Sequence, residues 1–273
     1  MTMEKHGIAF IGGGNMARSL IGGLVARGHA PAALRVAEPV AALREALAAD
    51  FGVSSFEAAP QAAEGAGTWL LAVKPQVMKA VCESLAPLAQ AQRPLVVSIA
   101  AGVTAGQIEA WLGGGQAVVR SMPNTPALLG AGATGLFANA RVDADGRAAA
   151  EALMGAAGLT AWIGDEALMD AVTAVSGSGP AYVFLLAEAM QAAGEAQGLA
   201  PDTARTLVLQ TILGAARMLS ETGEPAATLR QRVTSPGGTT QAAIESFEGN
   251  HFRRIVHEAI TAATERGRQL SAG

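Results

Sequence analysis

Apolar residues along the chain fall into short continuous runs separated by stretches with helical spacing. Gly7–Ile11 is an apolar run that predicts a strand, and Gly12-Gly13-Gly14 ends it. From Asn15 to Arg27 the apolar positions Met16, Leu20 and Leu24 recur every four residues, as on one face of a helix, and Gly28 stops it. The same reading predicts strands over Leu34–Ala37, Gly52–Phe56, Thr68–Val73, Leu95–Ile99, Val118–Ser121, Thr134–Ala138 and Leu159–Ile163. Helices are predicted over Ala41–Ala49, Gln76–Leu85, Ala105–Leu112 and Ala144–Ala156. Short apolar strands alternating with helices imply an α/β domain with a doubly wound, parallel sheet covered on both faces. After Gly164 the pattern changes. Pro180–Gln197, a helix from Pro201 to about Thr222, Thr239–Glu248 and Phe252–Gln269 are all helical, with no further strand. Residues 1–164 and 165–273 are therefore expected to form two domains, the second all-helical.

Composition narrows the class. Charged residues are 15% of the 273 and aromatics 4%, while half the chain is hydrophobic. So little charge implies that part of the surface is covered by another subunit. The net charge of −4 excludes a generic basic nucleic-acid binder. Cys82 is the only cysteine, which rules out an internal disulfide and a thiolate metal cage. Met1–His6 runs straight into the first strand pattern, leaving no room for a signal peptide. The charge-free stretch Ser121–Ala140 holds two prolines, Asn124 and several glycines, so it is no membrane span. A cytoplasmic protein without membrane or nucleic-acid partners is expected.

Gly12-Gly13-Gly14-Asn15-Met16-Ala17 fits G-x-G-x-x-A between a strand and a helix, the Rossmann dinucleotide signature. Gly12 permits the tight turn, Gly14 lets the backbone approach a pyrophosphate, and Ala17 allows close helix–strand packing. The helix N-terminus offers free N–H groups and a positive dipole end to phosphates. Glu38 ends the second strand, 21 residues after Ala17. It reads either as an acceptor for the ribose 2′-OH, favouring NADH, or as an exposed carboxylate before Pro39. Arg35 and Arg44 lie close enough to complicate the choice.

Three more segments close predicted strands, where open α/β sheets hold ligands. They are Ala72-Val73-Lys74-Pro75-Gln76, Ser98-Ile99-Ala100-Ala101-Gly102-Val103-Thr104 and Arg120-Ser121-Met122-Pro123-Asn124-Thr125-Pro126. From these, Ala72, Val73, Lys74, Pro75, Ala100, Met122, Pro123 and Asn124 join Gly12, Gly13, Gly14, Asn15, Met16 and Glu38 as candidate cofactor contacts. Asn124 could bond nicotinamide or substrate, or close a turn between prolines. In the helical part, Ser235-Pro236-Gly237-Gly238-Thr239-Thr240 leads into a helix. Its exposed N–H groups and hydroxyls suit a carboxylate, so Ser235, Gly237, Gly238, Thr239 and Thr240 are candidate substrate contacts; the alternative is an ordinary helix cap.

With Ser176-Gly177-Ser178-Gly179-Pro180-Ala181-Tyr182, these blocks resemble pyrroline-5-carboxylate reductases over nearly the whole chain and in order. The Met-Pro-Asn-Thr-Pro and Ser-Pro-Gly-Gly-Thr-Thr strings carry most of the specificity. The resemblance implies reduction of 1-pyrroline-5-carboxylate to proline with NADPH or NADH, in a homodimer or larger homo-oligomer. It also implies a catalytic role for Thr173, as the threonine that reaches the imine nitrogen. The alternatives are a β-hydroxyacid-type dehydrogenase and a non-catalytic dinucleotide-binding regulator. The former needs a lysine in the helical domain, and the lysines here are Lys5, Lys74 and Lys79. No spacing among His6, His29, His251 and His257 points to a metal site or a triad.

Overall fold

The computed structural model describes residues 7–272; Lys5 and His6, and the rest of the Met1–His6 leader reading, lie outside them. Eight strands, β1 (Ile8–Ile11), β2 (Leu34–Ala37), β3 (Ser54–Phe56), β4 (Thr68–Leu71), β5 (Leu95–Ser98), β6 (Ala117–Met122), β7 (Gly132–Ala138) and β8 (Gly158–Trp162), form one sheet in the order 3-2-1-4-5-6-7-8. Between them run α1 (Asn15–Ala26), α2 (Ala41–Phe51), α3 (Ala59–Ala63), α4 (Pro75–Gln92), α5 (Ala105–Trp111) and α6 (Ala144–Gly155). The chain winds outward from β1 through β2 to β3, then returns to the other side of β1 for β4, β5 and β6. The point where the winding reverses lies between β1 and β4.

Both faces of the sheet are covered, and strand alternation decides which residue goes where. Phe10, Val36 and Leu70 pack on one face with Leu20, Ile21 and Leu24 of α1, Leu47 of α2 and Leu153 of α6. Ile11, Ala37, Trp69 and Leu71 pack on the other with Ala62 of α3, Met78, Cys82 and Leu85 of α4 and Ile108 of α5. Every residue of β1 and β4 is consequently buried. The Trp69 indole N–H reaches the carbonyls of Ala63 and Ala66, so that its burial leaves no orphan donor.

Two expectations need correction. The sheet is not wholly parallel: β7 runs antiparallel to β6. Only a 3-10 turn, Thr125–Leu129, joins them, which is too short for the crossover a parallel neighbour requires. The helix expected to end at Leu85 continues past Pro87 to Gln92. Its stripe of Met78, Cys82, Leu85 and Ala89 is wholly buried, and that packing outweighs the hydrogen bond Pro87 cannot donate.

Beyond β8 the chain is helical, in α7 (Met169–Val172), a π-helical turn Thr173–Gly177, α8 (Gly179–Ala196), α9 (Pro201–Glu221), α10 (Ala226–Arg232), α11 (Thr239–Gly249) and α12 (Phe252–Ala272). The sequence pattern showed neither α3, α7, the π turn nor α10. Compact units divide at Ser178/Gly179: the first holds everything up to Ser178 together with the chain from Ala263 onward, the second is Gly179–Ala262. Segment 165–178 thus packs with the sheet. No described helix is long and apolar enough to cross a membrane.

Candidate active site

The glycine turn sits at the winding reversal, with the 72–75 segment beside it. Gly12 has φ +106, open to glycine, and a Cβ there would lie 2.5 Å from the Ala72 carbonyl oxygen and 3.2 Å from Val73. The Gly12 N–H donates to the Ala37 carbonyl at 2.8 Å, which binds the turn to β2. In front of Gly14 there is open space within 4 Å of where a side chain would begin. Gly14 caps α1 without any side-chain acceptor, so Asn15 and Met16 open a helix start whose N–H groups face outward. A backbone cradle, unfilled space and a positive helix end are what a dinucleotide pyrophosphate requires, so these residues fit such a cofactor.

Glu38 lies at the end of β2 and is buried rather than exposed. Its Oε2 accepts from the Gly13 N–H and its Oε1 from the Val40 N–H, both at 2.9 Å. The carboxylate therefore builds the loop it borders, and each oxygen keeps a lone pair for a further donor. Arg44 Nη1 donates to the Glu38 carbonyl at 2.7 Å, placing a cation at the same strand end. Lys74 is exposed and caps α4, whose first residue is Pro75.

Further along the same edge, Ala100 is buried just past β5, with Ala100 N–H on the Ser98 hydroxyl at 3.3 Å. Met122, Pro123 and Asn124 leave the end of β6, with Pro123 and Asn124 buried. The Asn124 side chain has partners at both ends: Nδ2 donates to the Ser176 carbonyl at 3.0 Å and Oδ1 accepts from the Ala133 N–H at 2.9 Å. Thr173 begins the π turn and is half-buried. Its hydroxyl donates to the Met169 carbonyl at 2.9 Å, which commits its proton and leaves the oxygen free to accept. The sheet edge therefore gathers the glycine turn with 72–75, and separately Met122–Asn124 with the Thr173 turn.

Sequence reasoning missed Arg120, which is 4% exposed. Its guanidinium lies 3.4 Å from Glu166 and 3.8 Å from Asp170. The signal was present: an arginine inside the apolar strand Val118-Val119-Arg120 must find a counter-charge once that strand is buried.

In the second unit, Ser235-Pro236-Gly237-Gly238 forms a turn into α11. Gly237 takes φ +70, and Gly238 N–H closes the turn on the Ser235 carbonyl at 3.0 Å. Gly238 caps α11 with no side-chain acceptor, so Thr239 and Thr240 start the helix with their N–H groups uncapped by a side chain. A side chain does reach back, Gln241 Oε1 to the Gly237 N–H at 2.7 Å. Among the described residues no three His, Cys, Asp or Glu side chains form a metal-binding group.

Comparison with known proteins covers both halves. Residues 166–270 match the family model described as pyrroline-5-carboxylate reductase dimerisation, and residues 7–102 match that described as NADP oxidoreductase coenzyme F420-dependent. The chain is similar to the pyrroline-5-carboxylate reductase of Pseudomonas aeruginosa, at 54% identity over 98% of each chain. It is 39% identical to that of Escherichia coli over 98% of this chain and 99% of the other. Among solved structures, the Coxiella burnetii pyrroline-5-carboxylate reductase superposes with a TM-score of 0.95 at 46% identity, covering 97% of this chain and 98% of that one. The Plasmodium falciparum enzyme with NADP bound gives 0.85 at 29% identity, covering 99% and 100%.

Proposed function

The chain belongs to the pyrroline-5-carboxylate reductase family, and from that premise we propose how its residues divide the work of the reaction. The reaction is reduction of the C=N bond of 1-pyrroline-5-carboxylate to give proline in proline biosynthesis, with NADPH or NADH supplying the hydride. The protein acts as a homo-oligomer. The observation that carries the residue-level reading is the open glycine turn at the winding reversal of the sheet.

Gly12, Gly13, Gly14, Asn15 and Met16 bind the pyrophosphate through backbone N–H groups and the α1 dipole. Glu38 reads the adenosine ribose and holds the turn in shape at the same time. Ala72, Val73, Lys74 and Pro75 flank the turn, with Lys74 adding a positive charge near the phosphates. Ala100, Met122 and Pro123 line the nicotinamide side of the same edge. Ser235, Gly237, Gly238, Thr239 and Thr240 hold the substrate carboxylate at the start of α11, where N–H groups and hydroxyls offer several donors to one anion.

Thr173 is assigned to the substrate nitrogen as an acceptor. With its proton on the Met169 carbonyl, the hydroxyl oxygen can take an N–H but has no hydrogen to give. The substrate is then held as the protonated iminium. When its ring carbon accepts the hydride, the C=N electron pair moves to nitrogen, which already carries its proton. No enzyme acid is needed in that step, and positioning of the two reactants supplies the rate.

Residues 1–164 are taken as the dinucleotide-binding domain and 165–273 as the substrate-binding and dimerisation domain; the matched dimerisation segment starts at 166, although the chain up to Ser178 and from Ala263 onward packs with the sheet unit. A cytoplasmic location belongs to the same proposal. The test is purified protein mixed with NADPH or NADH: oxidation of the reduced cofactor should require pyrroline-5-carboxylate. Turnover of a 3-hydroxy acid instead would overturn the reading.

A further inference from the structure

We infer that the end of α12 braces the loop between β5 and α5, with Gly267, Leu270 and Ser271 as positioning residues; the idea rests on the placement of Ala100 at the nicotinamide side above. α12 is one helix from Phe252 to Ala272, and the chain from Ala263 onward packs with the sheet unit. Gly267, Leu270 and Ser271 are spaced three and four apart, so they share one face of the helix. That face meets two elements at once. A Cβ on Gly102 would lie 3.3 Å from the Leu270 carbonyl oxygen and 3.5 Å from its carbon, so the helix backbone rests on the loop. A Cβ on Gly267 would lie 3.2 Å from both the Cβ and the Oδ1 of Asp170. The Ser271 hydroxyl donates to that same Oδ1 at 3.2 Å. A side chain at either glycine would push the helix off.

The contacts close into a ring. Asp170 is buried, and Arg120 lies 3.8 Å from the oxygen that Ser271 holds. Arg120 also reaches Glu166, at 3.4 Å. Glu166 Oε1 accepts the Ala105 N–H at 2.7 Å, at the point where the loop enters α5. The loop is thus tied at its far end through Glu166 and in its middle through Leu270, and Arg120 joins the two ties. Its near end is anchored in the sheet, with the Ile99 N–H on the Leu71 carbonyl at 3.2 Å and the Ala100 N–H on the Ser98 hydroxyl. Of residues 99–104 only Ala100 and Val103 are buried, so packing on the sheet holds little of the loop by itself. The brace from α12 supplies the rest, and it sets where a nicotinamide ring beside Ala100 can lie.

The test compares NADPH with 2′-phospho-ADP-ribose, which lacks only the nicotinamide. Deleting residues 270–273 removes the Leu270 and Ser271 contacts. Gly267→Val instead wedges α12 away from Asp170, with a residue that favours a helix more than glycine does. Either change should speed amide hydrogen exchange across residues 99–105. NADPH affinity, read by calorimetry, should fall about threefold or more, the scale of one lost neutral hydrogen bond. Affinity for 2′-phospho-ADP-ribose should stay within about twofold, because the glycine turn is a separate site. The kcat for pyrroline-5-carboxylate should fall by about tenfold, since small misplacements of a reactant cost rates of this order. Faster exchange with equal loss for both ligands would make α12 a general support of the sheet unit and overturn the brace. Unchanged exchange would overturn it too, as would a lowered melting temperature with NADPH affinity and kcat intact. If the unaltered protein fails to oxidise NADPH with pyrroline-5-carboxylate, the proposed function falls alone, because exchange and the two affinities still decide on the brace.

Discussion

The sheet unit and the helical unit place their apolar residues in opposite ways. Every residue of β1 and β4 is buried, whereas α8 and α11 bury none of theirs. On α8 Phe184 is 65% and Leu185 66% exposed, although the helix is as apolar as a core element. The glycine turn of the sheet unit and its Glu38 hydrogen bonds are made within one chain. The helical unit is half of something. Its uncovered faces are what the dimerisation family model and the low overall charge both lead one to expect.

The largest effect should come from attacking that difference. Leu185 and Ile255 line an apolar groove of about 400 Å³ together with Tyr182, Leu186, Phe252 and Val256. Leu185→Glu with Ile255→Glu would bury unpaired charges in any subunit interface, weakening association by more than about a hundredfold. Sedimentation at micromolar concentration should fall to the mass of one chain, and turnover should fall with it. An unchanged sedimentation coefficient would mean that the helical faces are ordinary surface and that the contrast between the units has no meaning for assembly.

Next in size is the carboxylate site of the helical unit against the cofactor site of the sheet unit. Thr239→Val with Thr240→Val removes hydrogen bonds to a charged group. Each is worth about 1.5–3 kcal/mol, so the loss of one should already raise KM for pyrroline-5-carboxylate roughly ten- to a hundredfold. Dinucleotide affinity should hardly move. Were the turn only a helix cap, the melting temperature would drop while KM stayed in place.

Most of the sheet unit was legible because its strands are apolar on both faces and its helices amphipathic, so pattern and packing agree. Legibility failed where a long-range partner decides. β7 looks like any apolar strand, and nothing local says that the short Thr125–Leu129 link will reverse it. Pro87 looks like a helix end until the buried stripe from Met78 to Ala89 is seen. The glycine turn could be read outright, since its chemistry resides in consecutive residues. Asn124 could not: its residue type allows a ligand contact or a brace, and nothing local shows that its two ends meet Ser176 and Ala133. Glu38 stands midway. Its place after β2 was readable, and its double bond to Gly13 and Val40 was not.

A smaller effect should separate the two duties of Glu38. Glu38→Gln keeps the size of the side chain and one of its two acceptors, so it gives up one loop bond, to Gly13 or Val40, and removes the charge that opposes a 2′-phosphate. The ratio of NADPH to NADH affinity should move toward NADPH by about tenfold, the scale of one charge-assisted hydrogen bond. Glu38→Ala, which frees both the Gly13 and the Val40 N–H, should weaken both cofactors in addition. Equal loss for both with Glu38→Gln would leave the residue a loop builder with no part in reading the ribose.

The smallest effect is on activity, and it sharpens the comparison most finely. Cys82 is buried in α4, and burial, helped by the neighbouring charge of Glu83, pushes its thiol from 9.0 up to about 12. Near pH 8 the reactive thiolate is therefore a minute fraction, and labelling should be slow enough to report only on opening of the sheet unit. The sign follows from linkage: the unfolded thiol ionises first, so stability is untouched below about pH 9 and declines as pH rises toward 12. Leu185→Cys adds a second thiol on the exposed face of α8. If a second copy covers that face, the new thiol should be protected at high protein concentration and labelled quickly on dilution, while Cys82 stays protected at every concentration. Mapping both sites by mass spectrometry across a dilution series distinguishes protection within a chain from protection between chains. Fast labelling of the introduced thiol at all concentrations would place α8 in solvent. Concentration-dependent labelling of Cys82 would show instead that the sheet unit, too, depends on assembly for its stability.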